Sequence, residues 1–564
     1  MVKIFGEMKN EKSLAILLFA WSLFSYSYFF HFHDRWPNPN ETTRLYSSIS
    51  MAEDGEFFID RQIIKYGVIW DRAEYKGRLY SDKAPGLSLM AVIPLAILHK
   101  VSSFFGHDPS FALKHWLARF FCVILPSALF SSLLFLYLRR FLADPFQRAG
   151  LIFIYTTGTL ACTFSTLFFG HQTAAVLLFT AFVLLEGERT ADPSGAVEKH
   201  WNPWLRAGLG GFLLGLAAIT EYPVIIAGFA IFVFSLVVRK QRAPMLLTVA
   251  AGLVPVFAWL AYNKACFDSP FSLGYSHLDN PGFAAVHKSG LLGVGLPNIV
   301  AFAGSIFGPK RGLLFFSPVC IFGFIGFFHL WKAGWKQIAI IAGIVCLVFL
   351  WIASSFGYWI GGDVVGPRHL TPLIPFLMIP MAAFLESTSR GRSKTGMILF
   401  TATAAVSIGM TATSSIPFPF FFTPLVNPFR DMALALWSDG IFPYNPGRFL
   451  GLKGIYSAIP YLLVFFAFAV FCFSWLVKKR ITIICRALPL VCLWFAIVIN
   501  ILPSGITEEN RGNNYRLKTV YSPAGEDLLS LRLADSRKID EDTAKILAAQ
   551  GKTAEALEAS RWMK

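Results

Sequence analysis

Charged residues are scarce in this sequence, and their scarcity excludes an ordinary soluble protein. Only 15% of the 564 residues are Asp, Glu, Lys or Arg, whereas 55% are hydrophobic. A soluble chain of this length has too few polar side chains to cover that apolar surface, so lipid must be the solvent for most of it. The net charge of +16 does not indicate nucleic acid, because the basic residues stand in short clusters between apolar runs. We therefore expect no nucleic-acid partner.

Cysteine is also sparse, and its spacing excludes a disulfide framework or a cysteine metal site. The eight cysteines form no CxxC pair, and most of them fall inside apolar runs, where cysteine behaves as a small hydrophobe. No small-x-small cleavage site follows the first apolar run, Ser13 to Phe30. The sequence therefore predicts an uncleaved first span rather than a signal peptide.

What the sequence does have is a series of apolar runs long enough to cross a membrane, which takes roughly 20 residues in a helix. The stretch 87–98 is shorter and is predicted to lie along the interface. Thirteen other runs are predicted to be transmembrane helices, at 13–30, 116–138, 149–169, 172–186, 205–221, 223–238, 244–262, 312–330, 337–356, 369–385, 396–413, 456–477 and 482–502.

The distribution of Lys and Arg predicts how these spans are oriented. With a cytoplasmic N-terminus, every predicted inner loop carries two or three of them, as the positive-inside rule requires. We therefore predict an all-α, multi-pass protein of a bacterial-type inner membrane, with its C-terminus on the outer, periplasmic face. Residues 1–502 would form the transmembrane domain, with a long first outer loop at 31–115 that carries interfacial helices. Residues 503–564 would form a small α-helical outer cap.

Ionisable residues gather at the predicted outer ends of the spans. They are Glu41, Asp82, Lys83, His171, Glu221, Lys310, Arg311, Asp363, Arg368 and His369. Basic residues on the outer face run against the topology bias, and either interfacial anchoring or an anionic ligand explains them. Acids beside bases at a membrane surface suggest group transfer from a lipid phosphate. A carboxylate would take a proton from an acceptor hydroxyl, and cations would neutralise the departing phosphate.

Two stretches of the sequence resemble a known superfamily. NETTRLYSSISMAEDGEFFIDR followed by SDKAPGLSLMAVIPLAIL resembles the first outer loop of glycosyltransferase C enzymes, in the branch of lipid A aminoarabinose transferases and protein O-mannosyltransferases. Asn40-Glu41 stands at the branch's acidic pair, AEDGEF at 52–57 resembles its GDW segment, and Lys83-Ala84-Pro85 stands at its K-P-P motif. Further on, GPRHLTPLIPFL resembles its RYLLPLLP segment.

The resemblance implies roles for individual residues. Glu41 would be the catalytic base, and Lys83 and Arg368 would bind the donor phosphate. Because Asn40 replaces the first acid of the pair, Asp54 and Asp82 remain alternative bases. Further candidates come from charge and sidedness alone: Lys310 and Arg311 as phosphate ligands, and His171, Glu221, Asp363 and His369 in supporting roles.

The function that the resemblance implies is transfer of a sugar, with inversion, from a polyprenyl-phosphate carrier to a lipid, glycan or protein acceptor on the outer face. A single Glu at the acidic pair and no DxD motif in the first outer loop make a poor oxygen cage, so we expect no obligatory divalent metal. The alternative is a polytopic transporter or lipid flippase, which predicts ionisable residues near mid-span and an internal repeat. Pro223, Pro255 and Pro380, which interrupt apolar runs, keep that alternative open.

Overall fold

The computed structural model describes residues 11–31, 38–186, 202–238, 242–391, 393–423, 425–478 and 480–502. Helices make up 74% of the structure, which confirms the predicted all-α polytopic class. The described strands are β1 (Ala73–Tyr75) and β2 (Arg78–Tyr80), which pair as an antiparallel hairpin. Lys76 and Gly77 at its tip both have positive φ, as a tight two-residue turn requires. The predicted C-terminal cap at 503–564 lies outside the described residues.

The α-helices are numbered here in chain order. They are α1 (Glu11–Tyr28), α2 (Pro39–Ile49), α3 (Asp60–Tyr66), α4 (Gly86–Phe104), α5 (Phe111–Arg119), α6 (Leu125–Tyr137), α7 (Pro145–Gly158), α8 (Leu160–Phe164), α9 (Gly170–Leu185), α10 (Pro203–Thr220), α11 (Val224–Val238), α12 (Pro244–Phe267), α13 (Pro281–Lys288), α14 (Ile299–Ile306), α15 (Leu313–Phe316), α16 (Ile321–Lys332), α17 (Lys336–Ser355), α18 (Ile374–Arg390), α19 (Lys394–Ser415), α20 (Ala435–Ser438), α21 (Pro446–Phe449), α22 (Ile459–Leu476) and α23 (Ile481–Ala496).

Short π- and 3-10 segments extend several of these helices. The π segments are Ser50–Asp54, Phe120–Ile124, Phe429–Leu434 and Ile497–Ile501. The 3-10 segments are Leu138–Arg140, Gly274–His277, Pro318–Cys320, Arg368–Leu373 and Gly454–Ala458. The segment Phe120–Ile124 joins α5 to α6, so that Phe111–Arg140 is one continuous helix of 30 residues.

All thirteen runs predicted to span are helical, but the count of thirteen is not confirmed. Nine helices of the described chain are long and apolar enough to cross a membrane; eight coincide with predicted spans and the ninth is α4. Three more predicted spans are the shorter apolar helices α9, α11 and Pro318–Lys332. The remaining two, α1 and α7, are helical without meeting the same criterion.

Helix α4 is longer than the sequence predicted, yet its contacts favour a position along the membrane surface. It continues to Phe104 and has 19 residues, about 28 Å at 1.5 Å per residue. At its start, Ser88 Oγ donates to the Arg44 carbonyl at 3.1 Å. Just beyond its end, Asp108 accepts from Lys65 Nζ at 2.6 Å. Both ends therefore contact α2 and α3 within residues 38–115, which we call the first-loop unit.

The bundle has two chemically different ends. At one end Arg140 pairs with Glu186, Arg148 Nη2 lies 2.5 Å from Glu11 Oε1, and Gln147 donates to the Leu476 carbonyl. The other end carries the first-loop unit, the start of α9 and the end of α10. Between the ends, α10 and α12 cross so closely that a Cβ on Gly211 or Gly215 would overlap the facing backbone. Small residues allow such close crossing in membrane helices.

Candidate active site

A cavity of about 640 Å³ opens at the end of the bundle that carries the first-loop unit. One part of its wall is charged, and the other part is apolar and aromatic. Seven of the sequence-predicted site residues line it: Asp82, Lys83, His171, Glu221, Asp363, Arg368 and His369. A concave, partly apolar site with a few converging polar groups is the usual form of a small-molecule site.

Arg44 on α2 forms hydrogen bonds with three other parts of the charged wall. Its guanidinium donates to Glu221 Oε1 at 3.0 Å, to the Ala84 carbonyl at 2.9 Å and to Asn40 Oδ1 at 3.3 Å. Asn40 and Arg44 are four residues apart, so both side chains lie on the same helix face. Arg44 thus connects α2, the SDKAPG corner and the end of α10.

Gly86, the last residue of that corner, makes a very close approach to α10. A Cβ on Gly86 would lie 2.6 Å from Thr220 Oγ1 and 2.7 Å from Thr220 N. Gly170 at the start of α9 likewise leaves no room for a Cβ beside Glu221. Only residues without a Cβ allow α4, α9 and α10 to meet at this point, so the two glycines fix the distance between Lys83 and Glu221.

Lys83 lies between two carboxylates. Its Nζ is 2.9 Å from Asp71 Oδ2 and 2.8 Å from Asp82 Oδ2, and it lies 5.9 Å from the centre of the Tyr275 ring. Burial alone would lower the pKa of Lys83, but the two carboxylates raise it above its ordinary value. Burial raises the pKa of Asp82, and Lys83 offsets part of that rise. Lys83 is therefore a permanent cation balanced by protein carboxylates.

Glu221 and two histidines form the next part of the wall. Glu221 is buried, and its Oε1 pairs with Arg44 Nη2. His171 Nδ1 lies 3.6 Å from Glu221 Oε2, and the His171 and His369 ring centres are 5.5 Å apart. The Nε2 atoms of both histidines are buried and have no hydrogen-bond partner among the described residues. They remain available to a bound molecule.

Arg368 is a cavity-lining cation whose charge acts on Glu221 only beyond ion-pair distance. Within the described chain it has no carboxylate partner, and its buried Nε has no acceptor. Its guanidinium carbon lies 6.0 Å from the centre of the Phe169 ring. Gly361 has a φ of 72°, and a Cβ there would lie 3.2 Å from Arg368 Nε. The absence of that Cβ gives the Arg368 side chain its space.

Arg311 and Lys310 do not line the cavity. Arg311 is fully buried and donates to the carbonyls of Ile360, Lys310, Gly362 and Phe421 at 2.8–3.1 Å. Burial lowers its pKa to about 10, and burial also lowers the pKa of Lys310. Arg311 therefore holds together the loops around the site. Both residues were predicted from charge and sidedness, which do not distinguish a buried cation from an accessible one.

Glu41 and Asp54 also lie away from the cavity. Glu41 is not among the lining residues; it accepts the Phe168 N–H and lies 3.8 Å from His115 Nε2. Asp54 pairs with Arg61 and accepts from Gln62 Nε2 at 2.7 Å. Asp363, by contrast, lines the cavity mouth, where its Oδ1 accepts from the backbone N and the hydroxyl of Thr423.

The apolar wall continues to the lipid-facing surface of the bundle. Ile225 and Ile226 at the start of α11, and Trp351 near the end of α17, line the cavity while remaining exposed. Leu291 and Leu292, in the loop after α13, complete this wall. The cavity therefore extends from a charged wall to an apolar wall whose side chains are exposed on the outside of the bundle.

Sequence reasoning missed several cavity residues, chiefly Arg44, Asp71 and Tyr275. Arg44 had a usable signal, because it stands one helical turn after Asn40 in the recognised stretch. Asp71 and Tyr275 belong to no motif, and only the fold brings them to Lys83.

The fold and site together define a polytopic membrane protein whose cavity has a charged wall and an apolar wall. No family model matches the sequence, and no curated protein matches it. The structure is similar to crystal structures of ArnT from Cupriavidus metallidurans. The one bound to undecaprenyl phosphate has 16% identity and a TM-score of 0.43, covering 86% of this chain and 78% of that chain. The apo structure has 15% identity, the same TM-score, and coverage of 87% and 78%. ArnT is of the branch that the first-loop motifs resemble. At this TM-score no residue role is transferred from it.

Proposed function

We propose that this protein is an integral membrane glycosyltransferase that moves a sugar from a polyprenyl-phosphate donor to an acceptor hydroxyl. The observation that carries the proposal is the cavity itself, which joins a charged wall containing Arg368, a cation without an ion-pair partner in the described chain, to an apolar wall of exposed side chains. An anionic head group and a long apolar chain in one molecule fit these two walls. The carrier that ArnT binds in its crystal structure has both parts.

The distribution of basic residues supports a cavity on the outer, periplasmic face. Arg139, Arg140, Lys332, Lys336 and Lys394 flank helices at the opposite end of the bundle. Loops rich in Lys and Arg stay in the cytoplasm. Since nucleotide-activated sugars are made in the cytoplasm, the lipid-linked donor has to carry the activated bond to this face.

In the proposed reaction, the acceptor oxygen attacks the anomeric carbon of the sugar from the side opposite the phosphate. A carboxylate takes the proton of the hydroxyl, the new C–O bond forms, and the bond from carbon to phosphate oxygen breaks with its electron pair on the phosphate. The configuration inverts. Arg368 stabilises the charge that develops on the phosphate, since its planar fork suits two phosphate oxygens.

Lys83 has a supporting part in the proposal. An ammonium has three N–H donors, and two of those on Lys83 bind Asp71 and Asp82. Its third donor has no partner within the described chain and faces the cavity that it lines. We assign it one hydrogen bond to the donor phosphate. That no divalent metal is obligatory stays a prediction, and transfer assays with EDTA test it.

Radiolabelled sugar transfer by the purified full chain in nanodiscs tests the proposal. The donors are undecaprenyl phosphates carrying glucose, mannose, galactose or aminoarabinose. We expect at least one donor to be consumed, and Arg368→Gln to lower the rate about 100-fold, the usual effect of losing one charge-stabilising donor. Arg448→Gln is the matched control, because Arg448 is also half-buried but donates to the Phe442 carbonyl away from the cavity.

The control is expected to stay within about threefold of wild type, since surface or loop substitutions away from a site have small effects. If the wild type consumes no donor but moves labelled lipid between leaflets, the transporter alternative replaces the proposal.

A further inference from the structure

Two adjacent cavity residues, Trp70 and Asp71, are held on a rigid segment of the first-loop unit. Ile69 before them is buried in a cluster with Tyr46 and Leu79. Arg72 after them binds Asp279 through Nε at 2.7 Å and Nη2 at 2.6 Å. Because the residues on both sides are anchored, the backbone that carries the two side chains is held at the cavity rim.

Trp70 is unusual because it is a large aromatic side chain left open. It is 70% exposed although it lines the cavity, and no aromatic ring of the described residues contacts it. An indole normally buries 150–250 Å² and dominates the energetics of its surroundings, so a rigidly held, uncovered one is a ready contact surface. The negative face of the ring attracts the positively polarised C–H bonds on the flat side of a sugar.

The position of Trp70 favours a sugar over a lipid chain. It is adjacent in sequence to Asp71, whose carboxylate binds Lys83 at the charged wall. The apolar wall is built from other residues, among them Ile225 and Trp351. A lipid-anchoring tryptophan is expected in the aromatic belt that contacts head groups, without a link to the charged floor of a cavity.

The carboxylates on either side of Lys83 differ in accessibility. The side chain of Asp82 is only 2% exposed, its Oδ2 binds Lys83, and its Oδ1 is buried with no partner in the described part of the chain. Both carboxylates line the cavity, but the Asp71 side chain is 14% exposed. A general base has to reach the hydroxyl proton within hydrogen-bond distance. Asp71 meets that condition, whereas Asp82 would first have to move.

We propose that Trp70 and Asp71 form the acceptor subsite, which takes a carbohydrate. The acceptor sugar stacks on the Trp70 indole and presents one hydroxyl to Asp71. The Asp71 carboxylate takes the hydroxyl proton as the acceptor oxygen bonds to the anomeric carbon, and the electron pair of the broken bond leaves on the phosphate held by Arg368. Lys83 orients the Asp71 carboxylate. This inference rests on the proposed glycosyl transfer and names its acceptor class.

The test measures two rates in the nanodisc assay, loss of donor to water and transfer to added acceptors. The acceptors are short neutral oligosaccharides, a glycolipid with the same sugars, and Ser/Thr-containing peptides. We expect the sugar-bearing acceptors to be used. Trp70→Ala should raise the KM for them at least about tenfold while donor hydrolysis stays within about twofold, and Trp70→Phe should restore much of the affinity. Trp331→Ala, an exposed tryptophan at the far end of α16, is the control and should change neither rate.

Asp71→Asn completes the test. It should lower both transfer and hydrolysis by about 100-fold or more, the usual contribution of a general base. Two results would overturn the inference while leaving the proposed function intact. One is transfer to the peptides but not to the sugar-bearing acceptors, and the other is an equal loss of hydrolysis and transfer in Trp70→Ala. A wild type that consumes no donor overturns both.

Discussion

Two lysines of the first-loop unit have nearly the same surroundings, but only one of them lines the cavity. Lys83 Nζ lies between Asp71 and Asp82, 5.9 Å from the centre of the Tyr275 ring. Lys114 Nζ lies 2.7 Å from Glu53 and 3.1 Å from Asp108, 5.8 Å from the centre of the Tyr66 ring. Each is thus a lysine between two carboxylates and beside a tyrosine.

The difference between the two lysines lies in their third donor. Lys114 is fully buried, and its third N–H binds the Tyr66 hydroxyl at 3.2 Å. Its partner Asp108 is shared with Lys65. Lys83 has no third partner among the described residues and borders the cavity. The same arrangement of charges therefore has a structural role at Lys114, where every donor is used. At Lys83 it leaves one donor open to a ligand.

The largest expected effect separates the two lysines by activity. Lys83→Met should lower transfer about 100-fold, because it removes a phosphate donor and the group that orients Asp71. Lys114→Met should leave transfer within about threefold at a temperature at which it stays folded. Sugar transfer at 20 °C, with thermal unfolding recorded for both variants, measures this.

The two variants control for each other in stability, because each substitution leaves two carboxylates without their lysine. Losing one partner of a buried ion pair costs about 3–5 kcal/mol. Equal losses of transfer in the two variants would mean that Lys83 is a structural residue like Lys114.

Gly86→Ala should disturb the Lys83 cluster and leave the Lys114 cluster unchanged. The new Cβ would meet Thr220 N at 2.7 Å, and the backbone there cannot move cheaply. Overpacking of this kind costs about 1–3 kcal/mol and should shift the corner that carries Lys83. Gly343→Ala is the control, since its Cβ would lie 3.8 Å from Phe327. Thermal unfolding and transfer rate check both variants, and a Gly86→Ala protein that matches the control would contradict the close crossing.

How far the sequence predicts this site depends on the kind of information each residue carries. The helices follow from apolar runs, because lipid demands them. Lys83 and Arg368 were predicted to bind a donor phosphate because they stand in stretches that resemble the K-P-P and RYLLPLLP motifs, and both line the cavity. Glu41 and Arg311 are charged residues that were predicted with the same kind of argument, yet neither lines the cavity. Glu41 accepts the Phe168 N–H, and Arg311 donates to four backbone carbonyls.

The residues that sequence reasoning missed are brought in by tertiary contacts alone. Asp71 reaches Lys83 only because the β1–β2 hairpin and the Arg72–Asp279 pair fold the first-loop unit back on itself. No local pattern encodes a contact across twelve residues. Single charged residues in loops are thus predictable as candidates, while their partners depend on the packing of the whole unit.

A smaller effect concerns the proton on Asp82. Burial raises its pKa in the folded protein, so the folded state binds this proton more tightly than the unfolded chain. The cost of ionising it appears as pH rises above about 4, the ordinary carboxyl value, and grows until the folded pKa is passed. Asp82→Asn removes that cost. The melting temperature of the variant relative to wild type should therefore rise between pH 4.5 and 7.5.

Asp268→Asn is the opposite control for this measurement. The Lys76 hydrogen bond and charge lower the pKa of Asp268, so its contribution to stability is present above the ordinary carboxyl value and is lost as pH falls. The Asp268→Asn melting temperature, relative to wild type, should fall as pH rises. Parallel trends in the two variants would rule out the buried-carboxylate explanation for Asp82.

The smallest expected effect is that of Glu41→Gln. It tests whether the catalytic base is Glu41, as the sequence motif implies, or a carboxylate that lines the cavity. Glu41 accepts the Phe168 N–H, and a glutamine carbonyl accepts the same bond, so the loss of a charge-assisted hydrogen bond should cost only about 1 kcal/mol. Transfer should stay within about threefold of wild type, because Glu41 does not line the cavity. Like Lys114, Glu41 would then have a structural role in the first-loop unit. A loss of 100-fold or more in a protein with wild-type thermal unfolding would instead return the base to Glu41, and would require α2 to rotate this carboxylate into the cavity when substrate binds.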